Sequence, residues 1–564
     1  MKKKEYLGFT KEQQWLLEQA ENVLGAQYDV EAALVRDDAG DYDIHASAQY
    51  ALVQLACGES DVACHILQNV VDAQFPTDNR EEPFYGAFRK CRCDPQPAAE
   101  SGFLEIFDAR GRYRADVWQE KIWNDYRRGL AERGFSDGQI ALAEQEWERA
   151  LVKTVPVIWK TYDPNFREFI GCCFALALAL FGAQLPQALQ ENILRAMERA
   201  VEGSVLRCQR NIHPMNTNIE LMHIFTSDYF GALLDRQDFC RHSMEMAHRF
   251  EQAYEANHTV AEFNSPTYYC VDLRTLALCR RFAPDGVIRS FGERMEAALW
   301  ENLAQFYNPE LQNVCGPFSR NYAMDMRLDT TIGALLYILL GAERVAQPPI
   351  EENSEITGYV IAALAGTKAP EHLLPALCSH TGDRFVEAHF RELIERGEPG
   401  KNAPLCTATA WIERDYMLGG LRGSKNTSGQ LRAATAYWRA PGGSVSSMCM
   451  LRRAVGEGCE HYRTVFLDAQ VQQGELRARV RFDVTRDMEL FFELNGEGIV
   501  PEQITAEQWN LPGMRVEVQA GAPLHAVCPF AGGVQVCYRY NSRTGEGQTM
   551  DFKLRFEHIK QCLE

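Results

Sequence analysis

The chain lacks the marks of several common protein classes. Its 18 cysteines include no C-x-x-C pair, and Cys91-x-Cys93 and Cys172-Cys173 fit neither zinc nor redox spacing, so reduced and mostly buried thiols are expected. No H-E-x-x-H or H-x-H occurs, no G-x-G-x-x-G, and no Walker A loop. Zinc hydrolase, dinucleotide and P-loop chemistry are therefore unsupported. No apolar run reaches membrane-spanning length. The longest, Ile170 to Gly182, is interrupted by Cys172-Cys173 and predicts a buried helix. The N-terminal Met-Lys-Lys-Lys-Glu-Tyr-Leu-Gly has a basic start but no apolar stretch after it, so no secretory signal is read and a cytoplasmic protein is expected. Nor is there a basic stripe. The net charge of −19 is spread along the chain, which argues against a nucleic-acid partner. An anionic small substrate stays admissible, because a local Arg cluster in a cleft overrides the global field.

What is present is a long globular composition. With 564 residues, 46% hydrophobic and 24% charged, two or three domains are expected. Helical periodicity starts at Lys11 to Leu24, with Leu16, Leu17, Ala20 and Val23 on one face. It continues in pairs: 45–74 broken at Gly58-Glu-Ser60, 116–133 with 136–153, 165–203 broken at Gln184-Leu-Pro186, 217–235 with 237–256, 266–282 with 284–306, and 322–341 with 353–365. A polar stretch, 76–114, reads as a long loop. No strand is read before residue 370. Near residue 400 the period changes to two, in runs such as Leu476-Arg-Ala-Arg-Val-Arg-Phe and Met488-Glu-Leu-Phe-Phe-Glu-Leu separated by Gly, Pro and Asn turns. The expected class is α+β multidomain: helical hairpins over 1–370, a linker over 371–404, and an antiparallel β-sandwich over 405–564.

Three polar segments recur about every 50 residues, one helical hairpin apart. They are His213-Pro-Met-Asn-Thr-Asn-Ile-Glu220, Glu262-Phe-Asn-Ser-Pro-Thr-Tyr-Tyr269, and Gly316-Pro-Phe-Ser-Arg-Asn-Tyr-Ala-Met-Asp325. Each reads as a turn entering a helix, so side-by-side hairpins would gather all three at one end. Part of their composition is helix-start chemistry. Thr217-x-x-Glu220 reads as a capping box and Ser265-Pro266 as an Ncap–N1 pair. Capping leaves Asn216, Asn218, Glu262, Tyr268, Arg320 and Tyr322 unexplained. Arg320 with Asp325 reads either as a surface pair or as an Arg fork for a substrate carboxylate. Of Tyr268 and Tyr269, one can face the core and the other the mouth.

With its E-x-x-S-P-x-Y segment from Glu262 to Tyr268, an Asn-rich segment one hairpin earlier, and Trp411-Ile-Glu-Arg-Asp-Tyr-Met-Leu-Gly419 at the entry to the strands, the chain resembles heparinase II/III and alginate-lyase type polysaccharide lyases. The resemblance implies an (α/α) toroid before the β-sandwich, and cleavage beside a uronic acid by β-elimination. It implies Tyr268 as base, with Tyr322 or Tyr268 itself as acid and His213 sharing the base role. Asn216, Asn218 and Arg320 would neutralise the carboxylate, and Arg320 or Arg274 would lower the tyrosine pKa. Glu220, Glu262, Asn264, Tyr269, Arg274 and Asp325 complete the expected substrate contacts. Two departures stand out. The family's His after that tyrosine is Tyr269 here, and its zinc-binding histidine cluster is missing, with His461 and His525 isolated. No metal or cofactor is expected. The expected partner is an anionic oligosaccharide, with neither nucleic acid nor membrane, and homo-oligomerisation is left open. Two other classes fit the same residues: a glycoside hydrolase drawing a carboxylate pair from Glu220, Glu262 and Asp325, and a non-catalytic carbohydrate-binding protein.

Overall fold

The computed structural model describes residues 8–94, 96–97, 123–154, 162–210, 215–326, 331–350, 356–392, 404–424, 430–456, 465–484 and 486–559. The helices are α1 (Lys11–Gln27), α2 (Ile44–Ala56), α3 (Ser60–Asp72), α4 (Trp123–Glu132), α5 (Asp137–Thr154), α6 (Phe166–Phe181), α7 (Gln187–Arg210), α8 (Thr217–Leu233), α9 (Gln237–Glu255), α10 (Pro266–Phe282), α11 (Gly286–Phe306), α12 (Ile332–Leu340), α13 (Ile356–Ala365) and α14 (Leu374–Cys378). Their starts follow local chemistry. Thr10 and Gln13 form a capping box on α1, and Asp43 accepts from the Ala46 amide at 2.7 Å to start α2.

The helices divide into two kinds. In α9 the buried residues are Phe239, Ser243, Met246, Ala247 and Phe250, one stripe at helical spacing. In its partner α8 nearly every residue from Thr217 to Gly231 is buried. A helix covered on all sides must be ringed by others. Indeed α2 packs on α6, α6 on α8, α8 on α10, α10 on α13, and α13 returns to α2. Around this closed inner ring lie α3, α7, α9, α11 and α1, each against its own inner partner. The apolar helix containing Ile170 to Gly182 is one of the inner five. This differs from the sequence expectation: counted with its flanking turn, the stretch Phe166–Gln184 is long and apolar enough to cross a membrane, and most of it is buried within the fold.

Short strands do occur among the helices: β1 (Tyr28–Asp29), β2 (Leu34–Arg36), β3 (Tyr42–Asp43), β4 (Tyr307–Asn308) and β5 (Asn313–Val314). The larger strands are β6 (Arg384–Arg391), β7 (Leu405–Ile412), β8 (Tyr416–Arg422), β9 (Ala434–Arg439), β10 (Val445–Ala454), β11 (Val465–Gln472), β12 (Glu475–Phe482), β13 (Met488–Asn495), β14 (Gln508–Leu511), β15 (Met514–Ala520), β16 (Ala526–Phe530), β17 (Gly533–Tyr540) and β18 (Thr549–His558). They form an eight-stranded sheet in the order β16-β17-β13-β10-β9-β8-β7-β6 and a five-stranded sheet in the order β11-β12-β18-β15-β14. All pairs are antiparallel. The sheets face each other through β11 on β7 and β8, and through an aromatic layer in which Phe552 lies 5.1 Å from Phe492 and 4.8 Å from Tyr538. The stretch expected as a linker, 371–404, contains α14 and the edge strand β6.

Strand β8 couples the two regions. Every residue from Tyr416 to Leu421 is buried, so both of its faces are covered. A side chain at Gly419 would fall 2.1 Å from the Gly316 carbonyl, and one at Gly420 would fall 2.7 Å from the Gln470 backbone. These two glycines let β8 lie between the second sheet and the segment that begins at Gly316.

Candidate functional site

All three polar segments meet at the start of α8 and α10, on the side of the ring that adjoins the eight-stranded sheet. The first two are joined through Glu262. Its amide donates to Thr217 Oγ1 at 3.3 Å, and its carboxylate accepts from the Asn218 amide at 3.2 Å. This corrects the capping-box expectation. The N-cap is Asn216, one residue earlier than expected, and it makes no side-chain cap bond. Thr217 is therefore already helical, and its hydroxyl serves the neighbouring segment instead of its own helix.

The second start matches its sequence. Ser265 is the N-cap of α10, Pro266 follows, and the Tyr268 amide donates to Ser265 Oγ at 3.3 Å. Ser265 Oγ also donates to the Arg320 carbonyl, which ties the third segment to this helix start. Asn264 sits at φ +48° and donates to the Cys315 and Pro317 carbonyls at 2.8 and 2.9 Å. The far side of the third segment is pinned to the sheet region. Phe318 pairs with Arg432, and the Asn321 amide donates to the Gln430 carbonyl at 2.9 Å.

Between these anchors lies a chain of polar side chains. Arg320 Nη1 meets Glu262 Oε1 at 2.6 Å, Nε donates to Gln430 Oε1 at 2.9 Å, and Nη2 donates to the Tyr268 hydroxyl at 2.9 Å. The guanidinium also lies over the Tyr268 ring, 4.3 Å from its centre. The Tyr268 and Tyr322 hydroxyls share a hydrogen bond of 2.8 Å. Burial decreases along this chain: Glu262 is 1% exposed and Tyr322 49%. Tyr322, Asp325 and Arg432 border a cleft of about 840 Å³ over the eight-stranded sheet, whose floor includes Ser447, Glu493 and Asn495.

The electrostatics correct a second expectation. Arg320 pulls the Tyr268 pKa down, but burial pushes it up more strongly, and the Tyr322 hydroxyl and Glu262 add to the rise. The phenol is therefore held well above its ordinary value. Arg320 itself is engaged by protein at all three nitrogens, so it orients Tyr268 and offers no vacant fork to a carboxylate. Glu220 is half-buried, and desolvation raises its carboxyl to about 7 against the opposing pull of Arg249.

Burial also corrects three expected substrate contacts. Tyr269 is 2% exposed and belongs to the core, Asn264 is 1% exposed, and Arg274, two turns into α10, is 5% exposed. Asn218 is buried as well, with its side-chain oxygen unpartnered among the described residues. Asn216 is half-buried at the start of α8. His213 lies outside the described residues, as does His461.

Three participants lie outside the residues expected from the sequence. Gln430 and Arg432 come from the connection before β9, more than a hundred residues from their partners. Asp272, one turn beyond Tyr268, is fully buried with neither carboxyl oxygen hydrogen-bonded among the described residues. Burial raises its pKa well above the carboxylate range, the nearby Glu262 raises it further, and Arg274 opposes. An acid inside the apolar run Cys270-Val-Asp-Leu273 was the available clue.

A family model described as "Domain of unknown function (DUF8769)" matches residues 122–366, less than half of the chain. No curated protein matches the sequence. Among solved structures, a heparinase III is similar at a TM-score of 0.37 and 10% identity, covering 96% of this chain and 92% of that one. The chondroitin AC lyase of Streptomyces coelicolor A3, solved with chondroitin sulphate, is similar at a TM-score of 0.27 and 9% identity, covering 97% of this chain and 100% of that one.

Proposed function

We propose that the protein is a carbohydrate lyase acting on uronic-acid-containing oligosaccharides by β-elimination, with Tyr268 and Tyr322 as one acid–base unit. We read the closed ring of hairpins as an (α/α) toroid and the facing sheets as a β-sandwich, with substrate in the cleft between them. The observation that carries the reading is the phenol–phenol–guanidinium chain. Two hydroxyls 2.8 Å apart at the mouth of the cleft, one held 2.9 Å from Arg320, allow one phenolate to be shared between two rings.

In this reading the shared phenolate takes the C5 proton of the uronate. Electrons from the C5–H bond form the C4–C5 double bond, and the C4–O4 bond breaks. The remaining phenol gives its proton to the departing O4, which regenerates the phenol–phenolate pair. Arg320 stabilises the phenolate through its hydrogen bond and its cation–π contact. Glu262 fixes the plane of Arg320 and is thereby committed to a structural pair, which weakens its candidacy as a hydrolytic acid or base. In this reading Arg432, beside Tyr322 at the cleft, neutralises the substrate carboxylate, a role first expected of Asn216, Asn218 and Arg320.

The raised pKa of Tyr268 gives the reading a sign. Since the base form is the deprotonated one, turnover rises with pH on the alkaline side of neutrality. The product tests the reaction class. Incubation with uronate oligosaccharides is expected to generate the ultraviolet absorbance of an unsaturated sugar in step with new reducing ends. Reducing ends without that absorbance would contradict elimination and indicate hydrolysis. Saturable binding with no cleavage would indicate a binding protein.

A further inference from the structure

On the outer side of α8, away from the tyrosine pair, a second group of side chains converges from three helices. Cys208 comes from the last turn of α7, His223 from α8 and His242 from α9. One ligand atom from each lies within 4.8 Å of the others. The two imidazoles approach through Nε2 atoms 3.0 Å apart. Two nitrogens bound to one tetrahedral zinc ion stand roughly 3.3 Å apart, given Zn–N bonds of about 2.0–2.1 Å.

The surroundings are those of a ligand set. His223 is fully buried, and its other nitrogen, Nδ1, faces Glu168 Oε1 at 3.8 Å and Ser227 Oγ at 3.4 Å. Glu168 is itself buried and accepts from Ser204. Glu168 and Ser227 thus lie on the side of the ring opposite His242, where a hydrogen bond from Nδ1 would hold the ring and its tautomer and leave Nε2 to ligate. Met215 Sδ lies 3.6 Å from Cys208 Sγ and sets the direction of the thiol. Cys208 and His242 also line a cavity of about 480 Å³, bordered by Gln209, Glu245, His248 and Arg249, which supplies an entry path and room for a fourth ligand. Arg249 at the cavity and Arg207 nearby oppose a dication. Glu245 and the thiolate that Cys208 becomes on binding offset them.

We infer that Cys208, His223 and His242 form a zinc-class metal site that ties α7, α8 and α9 together. The inference stands on this cluster alone and is independent of the proposed elimination chemistry. On binding, the Cys208 S–H bond gives way to a sulfur–metal bond, and one proton is released to solvent.

Cobalt(II) is the probe, because a thiolate–cobalt bond produces a charge-transfer absorption that histidine and carboxylate ligands do not. The full chain, first freed of metal with a chelator, is titrated with cobalt(II) and then with zinc(II). Expected are a charge-transfer band saturating at one ion per chain, its loss on adding zinc, and its retention in Cys93→Ser, which removes an exposed cysteine elsewhere. In Cys208→Ser the band disappears. In His242→Gln cobalt affinity falls by about 100-fold, with the thermal melt of each metal-free variant confirming a folded chain. Absence of a band in the wild-type chain overturns the inference. So does a band that survives unchanged in Cys208→Ser, or an affinity that His242→Gln leaves unaltered.

Discussion

The helical ring and the paired sheets handle buried charge differently. Among the described residues, Glu168, Asp228, Glu262, Asp272 and Glu296 are buried acids in the helical region, whereas the sheet region has only Glu392, at the end of β6. An unpaired buried carboxylate is expensive, so each needs a specific arrangement of donors or a raised pKa. Glu296 has Arg280 Nε at 2.6 Å and the Lys368 amide at 2.8 Å, and Glu262 has Arg320. In the sheets the ladders satisfy the backbone polar groups and most side chains between them are apolar, with Arg452, Thr435 and Ser446 among the buried polar ones. Among the described residues the ring therefore holds most of the buried acids, and the sheets provide shape: a floor for the cleft and an anchor for the third polar segment.

Four substitutions sharpen or break that contrast. The largest expected effect is from Glu262→Ala, which leaves the Arg320 guanidinium without its carboxylate. Breaking a buried pair on one side costs about 3–5 kcal/mol, and urea unfolding is expected to show a loss of that order together with lost turnover. A loss under about 1 kcal/mol would mean that the pair is not structurally important. Next is Gly419→Ala, on the sheet side. Its added methyl meets the Gly316 backbone, so roughly 1–3 kcal/mol of stability is expected to be lost. Because that backbone begins the segment bearing Arg320 and Tyr322, activity is expected to fall as well. An active and destabilised Gly419→Ala protein would uncouple the sheet from the site.

Arg320→Gln tests the tuning of Tyr268. It removes the cation that opposes burial, so the alkaline rise in turnover is expected to move to higher pH. A pH–rate profile checks this, and a profile displaced toward lower pH would contradict it. The smallest effect is expected from Glu220→Gln. The Glu220 carboxyl is raised to about 7 in the fold, so the proton it holds favours the native state at acid pH, and that contribution is lost as pH rises through 7. The amide cannot ionise. The variant is expected to be more stable than wild type at pH 8 and to differ little at pH 4.

How much of this was legible in the chain depends on the range of the interaction. Strands with clean alternation, such as Leu476 to Phe482 and Met488 to Leu494, lie where period two puts them. Strand β8 was not read as a strand, because Gly419 and Gly420 hide its pattern. They are glycine because other backbones approach them, which is information held by distant segments. The edge strand β6 fell within an expected linker for a related reason, since its pairing with β7 is visible only in the fold. At the site, the Ser265-Pro266 start was legible because capping is local. The helix expected from residue 322 was not found there: Tyr322 to Met326 form bends and a turn, and α12 begins at Ile332. The engagement of Arg320 by Gln430 and the burial of Tyr269 are tertiary outcomes that no local spacing encodes.

The central claim is that the tyrosine pair performs the chemistry. Its most direct test is the initial rate of unsaturated-product formation by Tyr268→Phe on a uronate oligosaccharide that the wild-type chain cleaves. Removing one hydroxyl that touches both Arg320 and Tyr322 is expected to lower the rate by about 10²–10⁴-fold, with little change in substrate binding or thermal stability. A folded Tyr268→Phe protein that forms the unsaturated product at the wild-type rate would contradict the account.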